Sequence, residues 1–216
     1  ILSIVVTIVS TIVSLIITIL GSYPLVRKDL KGRNVILLFV IFAMLFSGGL
    51  IPFYCMIQDF NLDGTILIYF VIGLVSPYNV IIMKNFFAAL PQEIFESARV
   101  DGANEFKTLI RIALPLSGPI IATIALWTAV GKWNDWMTSM YYMSKEPRSY
   151  LMFQYLLQNV IAEATPQQGG NNSELIMRAE EIKSATIVLS ILPIIIVYPF
   201  VQKYFVKGVL LGSVKG

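Results

Sequence analysis

Histidine is absent from this chain, and cysteine occurs once, as Cys55. A transition-metal centre needs imidazole or thiolate donors, so none is expected. A lone cysteine forms no internal disulfide and leaves the redox compartment unread. Charge is scarce as well: charged residues are 13% of the 216, against 56% hydrophobic. That is too little charge to cover the exposed faces of a soluble domain of this size. The acids are scattered and no histidine can serve a nucleophile, which argues against a membrane-embedded enzyme. A phosphate-cradling Gly-x-x-x-x-Gly-Lys-Ser/Thr loop is also missing. Gly131-Lys132-Trp133 is only a partial echo of it, so nucleotide is not held here by that route.

What is present is long apolar runs. Five segments, about 1–26, 34–57, 64–83, 115–136 and 184–203, are almost free of charge. Each approaches the roughly 20 residues that a helix needs to cross about 30 Å of hydrocarbon. Lipid leaves no partner for open backbone groups, so such runs must be helices. The expected fold is an all-α membrane protein, a polytopic helical bundle forming a single transmembrane domain over 1–216. The first run is too long for a signal peptide, lacks a basic start and ends in Tyr23-Pro24. The chain starts at Ile1 rather than Met, and a further native helix is expected before it.

Charge sets the orientation. Arg27, Lys28, Lys31 and Arg33 follow the first run, whereas Asp59 and Asp63 occupy the next loop without a base. Lys84, Arg99, Lys107 and Arg111 come after the third run. Basic loops favour the cytoplasm, so the first helix should run from outside to inside. The net charge of +3 is thereby explained by topology and implies no nucleic-acid partner.

The cytoplasmic segment 85–115 carries the most information. Pro91 suits a helix start, Glu93 its positive end, and Gly102 a left-handed stop. Asn104 can cap a second helix in which Phe106, Leu109, Ile110 and Ala113 share a face. Helix, sharp turn and helix could present a knob to a soluble partner or rest on the membrane surface. Within this segment, Glu96-Ser97-Ala98, three residues, Gly102, nine residues and Ile112-Ala113-Leu114-Pro115 resemble the EAA loop of ABC importer permeases. Ser97 stands where that pattern has alanine, a small-for-small departure.

The resemblance covers nearly the whole chain. It is nearest to the second permease subunit of maltose-type carbohydrate uptake transporters, in the complex-oligosaccharide branch. Gly49-Leu50-Ile51-Pro52-Phe53-Tyr54, Asn79-Val80-Ile81-Ile82-Met83 and Gln202-Lys203-Tyr204-Phe205 support it, as does the tail Gly212-Ser213-Val214-Lys215-Gly216. It implies a type I ABC importer permease core whose five helices are present here, the family's N-terminal helix being outside this sequence. It implies a multi-pass protein of the bacterial plasma membrane, surrounded by lipid, that imports a sugar or oligosaccharide. The implied partners are a second homologous permease, two copies of a cytoplasmic ABC ATPase and an extracytoplasmic solute-binding protein. ATP and its magnesium would sit on the ATPase, leaving this chain without a cofactor. Glu96, Ser97, Ala98, Asp101, Gly102, Ile112, Leu114 and Pro115 would form the ATPase-coupling element. Glu96 would pair with a basic group of the ATPase, although a solvated helix charge is the plainer reading.

Substrate-path candidates are Tyr78, Asn79, Trp133, Asn134 and Asp135. Aromatic faces with amides and a carboxylate suit sugars. A proline kink at Pro77 and an interfacial aromatic belt with a snorkelling Lys132 would explain the same residues. Asp59-x-Asn61-x-Asp63-Gly64 matches half of a calcium loop, but the twelfth position is Phe70, where a glutamate is needed. The outer segment 137–183 has helical spacing over Leu151–Ile161 and a polar turn at 165–172. It suits contact with a binding protein, or a lid. Two alternatives remain: an importer permease for a non-sugar solute, and a secondary transporter. The second wants intramembrane acids and an internal repeat, and Asp135 is the sole acid within the spans.

Overall fold

A computed structural model describes residues 1–164 and 173–212, and the polar turn 165–172 and the tail 213–216 lie outside the described residues. Every element is helical. Helix α1, Leu2–Ser22, is followed by a short 3-10 turn at Pro24–Val26. Then come α2 (Arg33–Leu45), α3 (Leu50–Asp59), α4 (Ile68–Val71), α5 (Pro77–Ala88) and α6 (Gln92–Val100). Helix α7 (Glu105–Thr108) continues through a π-helical turn at Leu109–Ala113 and α8 (Leu114–Leu116) into α9 (Gly118–Trp133). Helices α10 (Met137–Tyr142), α11 (Phe153–Ala164) and α12 (Ser173–Gly212) complete the chain.

Helix α1 is turned inside out relative to a helix of a soluble protein. Ser3, Ser10, Ser14, Thr18 and Ser22 are buried, while Ile8, Ile12 and Ile16 are each more than half exposed. Apolar side chains turned outward suit a hydrocarbon surrounding. Small hydroxyl residues let the backbones of neighbouring helices approach closely. The buried stripe belongs to the helix that packs chiefly against α9 and α5. Among the described residues, Leu2–Val26 and Glu180–Pro199 are long and apolar enough to cross a membrane unaided. Two bent pairs, α2 with α3 and α7–α8 with α9, bring the possible crossings to 4.

Two of the anticipated spans are not single helices. Within 34–57 the axis turns by 114° between α2 and α3. Gly49 sits there at φ +86, a conformation that side chains resist, and Pro52 removes the donor that would bond back across the break. Within 64–83, α4 ends at Ile72 in extended backbone and Gly73 turns at φ +66. Helix α5 then restarts at Pro77, whose ring disfavours helical backbone at the preceding Ser76.

Two apolar clusters hold the bundle. Val6, Ile57, Tyr69, Tyr142 and Met152 gather at the end where α1 begins. Met83, Phe87, Leu109, Ala113 and Ile124 gather at the other, against Leu15, Ile19 and Tyr23 of α1 and its C-cap. The basic loops 27–33 and 84–111 adjoin the second cluster, at the end of the bundle expected from charge to face the cytoplasm. The Asp59–Gly64 turn belongs to the end of the first cluster, where the Gly64 N–H donates to the Tyr142 carbonyl at 2.9 Å.

Candidate functional site

The break between α4 and α5 opens a cavity of about 580 Å³ against α9 and the start of α10. Ser76 caps α5, its Oγ accepting from the Asn79 N–H at 3.3 Å. That cap places Tyr78 and Asn79 on the wall, with Tyr78 exposed and Asn79 buried. Helix α9 contributes Trp127, Thr128, Gly131 and Lys132, and its end contributes Asn134, Asp135 and Trp136. Tyr78 and Trp127 lie with ring centroids 6.0 Å apart. Asn134 Oδ1 accepts from Gln154 Nε2 at 3.3 Å, tying the mouth to α11. Asp135 accepts from the Thr138 N–H at 3.1 Å and from its hydroxyl at 2.7 Å, so its carboxylate anchors α10.

Lys132 is 7% exposed and reaches across the cavity wall. Its Nζ donates to the Tyr69 carbonyl at 2.7 Å and to the Ile72 carbonyl. These are carbonyls at the C-terminal end of α4, which the break leaves without helical donors. A cation there also meets the negative end of the helix. Lys132 does not run outward to water as the snorkelling reading had it. Tyr69 is fixed further by its hydroxyl, 2.7 Å from Ser139 Oγ and 2.9 Å from the Tyr150 carbonyl, to which it donates.

Four of the five substrate-path candidates therefore converge: Tyr78, Asn79, Asn134 and Asp135 line one cavity. Trp133 does not join them. It faces α12, where its Nε1 donates to the Ser190 carbonyl at 2.9 Å and its ring meets Phe153 at 5.7 Å. Sequence reasoning missed Trp127, although Trp127, Gly131 and Asn134 share one helical face at about 100° per residue. We expect Asn79→Ala and Asn134→Ala to slow sugar uptake by about tenfold while leaving assembly intact, since each removes one orienting polar group from the wall. Transport kinetics in vesicles, with co-purification as the assembly control, check this; unchanged kinetics would remove both from the path.

At the opposite end of the bundle from the cavity, the motif residues form a helix, a turn and a helix. Glu96 and Ser97 are exposed on α6, while Ala98 is buried at its inner side. The Ser97 hydroxyl donates to the Glu93 carbonyl at 2.9 Å. Asp101 is exposed, and Gly102 turns the chain at φ +73. The Ala103 N–H closes onto the Ala98 carbonyl at 2.9 Å, and Asn104 caps α7 by accepting from the Lys107 N–H at 2.8 Å. Ala98, Asp101 and Ile112 border a cleft of about 330 Å³ between the two arms. Leu114 and Pro115 follow the π turn. Pro115 has no N–H for the carbonyl of Arg111, and the wider turn accommodates that lost bond. The axis then bends by 81° at the break before α9, whose far end forms one wall of the cavity.

Comparison with known proteins follows this geometry. Residues 1–211 match the family model described as binding-protein-dependent transport system inner membrane component. The protein LplC of Bacillus subtilis (strain 168) is 43% identical over 214 residues, covering 99% of this chain and 72% of that protein. The polygalacturonan/rhamnogalacturonan transport system permease protein YtcP of the same strain is 39% identical over 220 residues, covering 100% and 76%. A crystal structure of a bacterial ABC transporter involved in the import of the acidic polysaccharide alginate contains a chain that superposes with a TM-score of 0.82. Its identity is 31%, with 94% of this chain and 73% of that one covered.

Proposed function

This chain belongs to the family of binding-protein-dependent transport system inner membrane components, and from that premise we propose how it works. It is a membrane permease of an ABC importer for sugars or oligosaccharides. In our reading the 580 Å³ cavity is part of the sugar path. Aromatic faces at Tyr78, Trp127 and Trp136 would stack on pyranose C–H surfaces, and Asn79 and Asn134 would bond hydroxyls.

The observation that carries the coupling half of the reading is that one stretch of chain, Gln92 to Trp133, holds both the motif residues and a wall of the cavity. Glu96, Ser97, Asp101 and Gly102 lie at its cytoplasmic tip, and Trp127 and Lys132 at its cavity end. A separate cytoplasmic ATPase, present in two copies, would seat the tip. Its closure on ATP and magnesium would tilt α9 against α4 and α5 as a rocking motion. A second homologous permease would supply the other half of the path, and an extracytoplasmic binding protein would deliver sugar at the α10–α11 surface.

The test is to tag the chain, extract it gently from native membranes and identify what accompanies it. The expected companions are a second EAA-bearing permease, an ATPase and a sugar-binding protein. The chain alone, or a homo-oligomer with uptake driven by an ion gradient, would overturn the reading.

Gly102→Asp separates coupling from folding. A Cβ there would meet open space, so the cost is the positive φ alone, about 1–2 kcal/mol. We expect normal expression, retained ATP hydrolysis and uptake reduced about tenfold. Normal uptake by this variant would show that the tip does not act as the lever.

A further inference from the structure

Away from the cavity, a polar cluster joins the loop after α1 to the second arm of the coupling element. Glu105, the first residue of α7, stands 78 positions from Arg27 in the chain. Arg27 Nη1 donates to Glu105 Oε1, and Tyr23 Oη donates to Glu105 Oε2 at 3.4 Å. Asp29 holds the guanidinium from its other edge, accepting from Nε at 3.0 Å and Nη2 at 2.8 Å. Arg33 Nε in turn donates to the Leu25 carbonyl at 2.8 Å, which pins the turn that carries Arg27. Hydrogen bonds to Asp29 and then to Glu105 raise the Arg27 pKa, so its charge is fixed.

Both side chains of the pair stay partly open to water, at 32% and 51%. Exposed pairs add little stability, so the cluster is not explained as a staple. What it supplies is position. A guanidinium gripped on one edge by a carboxylate presents its other edge in a set plane, which a lysine could not do. Backbone joins α7 to α9, but none joins α7 to α1. Helix α1 packs most extensively against α9, and its buried stripe is of small side chains, Ser10, Ser14 and Thr18 among them. A seam of small residues is one on which packed helices can slide. The Arg27–Glu105 pair ties the inner end of α1 to the coupling element, bridging that seam.

We propose that Arg27 and Glu105 form a clamp that makes α1 follow the coupling element, with Asp29 and Tyr23 as positioning residues. Without it, the element moves α9 while α1 lags, and the cavity changes shape less for each closure of the ATPase. The clamp rests on the importer reading given above.

The experiment uses the complete importer in liposomes, with sugar uptake and ATP hydrolysis measured in parallel. Wild type, Arg27→Glu, Glu105→Arg and the double exchange are compared. In each single variant hydrolysis should stay within about twofold, while sugar moved per ATP falls about tenfold. The double exchange should recover most of the loss, because the arginine introduced at position 105 meets Asp29 as well as the carboxylate introduced at position 27. Should charge reversal weaken assembly, Arg27→Gln and Glu105→Gln provide the same ratio. An unchanged ratio, a double exchange that fails to recover, or uptake and hydrolysis falling together would each overturn the clamp. A wild-type complex without sugar-stimulated hydrolysis would instead strike at the importer reading itself.

Discussion

Lys132→Met should reduce uptake by about tenfold to a hundredfold, the scale on which small misplacements of binding groups act. The change is close to isosteric and removes a charge from a span, which by itself eases membrane insertion by up to about 2.5–3.5 kcal/mol. Expression should therefore hold or improve. The folded state loses instead, because the carbonyls of Tyr69 and Ile72 forfeit their donor. Each buried carbonyl left unpaired costs about 1–3 kcal/mol. The end of α4 is then free to shift, and with it the Gly73–Ser76 turn that sets Tyr78 and Asn79. Since α9 carries Lys132 and follows the 92–116 segment in the chain, the proposed mechanism would pass motion of that segment to the far wall through this bond. Thermal unfolding of the purified complex alongside uptake would decide the matter. Lower melting with lost uptake and undiminished insertion is the expected pattern. Unchanged uptake would show that the end of α4 holds itself.

The helix–turn–helix element at 92–116 was the most legible part of the chain because its signals are local. Pro91, Gly102 and Asn104 each act on backbone within a few residues, and the structure has Gly102 at positive φ and Asn104 capping α7. The cavity was legible in part. Ser76-Pro77 marks a break wherever it stands, but which face of α9 meets that break depends on rotation. Leu126, Val130 and Trp133 recur at helical spacing and line the side toward α12, one residue away from the face of Trp127, Gly131 and Asn134. A hydropathy window registers composition and not direction, so the 114° turn at Gly49 left no trace in the length of the charge-free run. The tie between Arg27 and Glu105 was beyond reach, since no local rule pairs residues that far apart. Lys132 was visible as a charge in a span, but its partners are main-chain carbonyls, which sequence does not distinguish.

The buried stripe of α1 yields the other large effect. Ser10 is 1% exposed, and its hydroxyl makes no hydrogen bond among the described residues. Ser10→Ala removes a polar atom that gains nothing from burial, so stability should change by less than about 0.5 kcal/mol or rise slightly. Ser10→Leu raises the hydropathy of an already apolar helix, and a composition rule would score it as harmless. Packing predicts the opposite. Three carbons must fit where one oxygen stood against the neighbours of α1, and overpacking a close contact costs about 1–3 kcal/mol, more where two helices are forced apart. In lipid no hydrophobic gain compensates, because leucine is solvated as well by acyl chains as by protein. Ile12→Leu is the control, since Ile12 is 53% exposed on the other face of the same helix. We expect Ser10→Leu to insert normally, yet to lose its companions on purification and to melt at lower temperature. Ile12→Leu and Ser10→Ala should behave as wild type. If Ser10→Leu assembled and transported normally, close approach of α1 would not be what the small residues provide, and the seam invoked for the Arg27–Glu105 clamp would lose its footing.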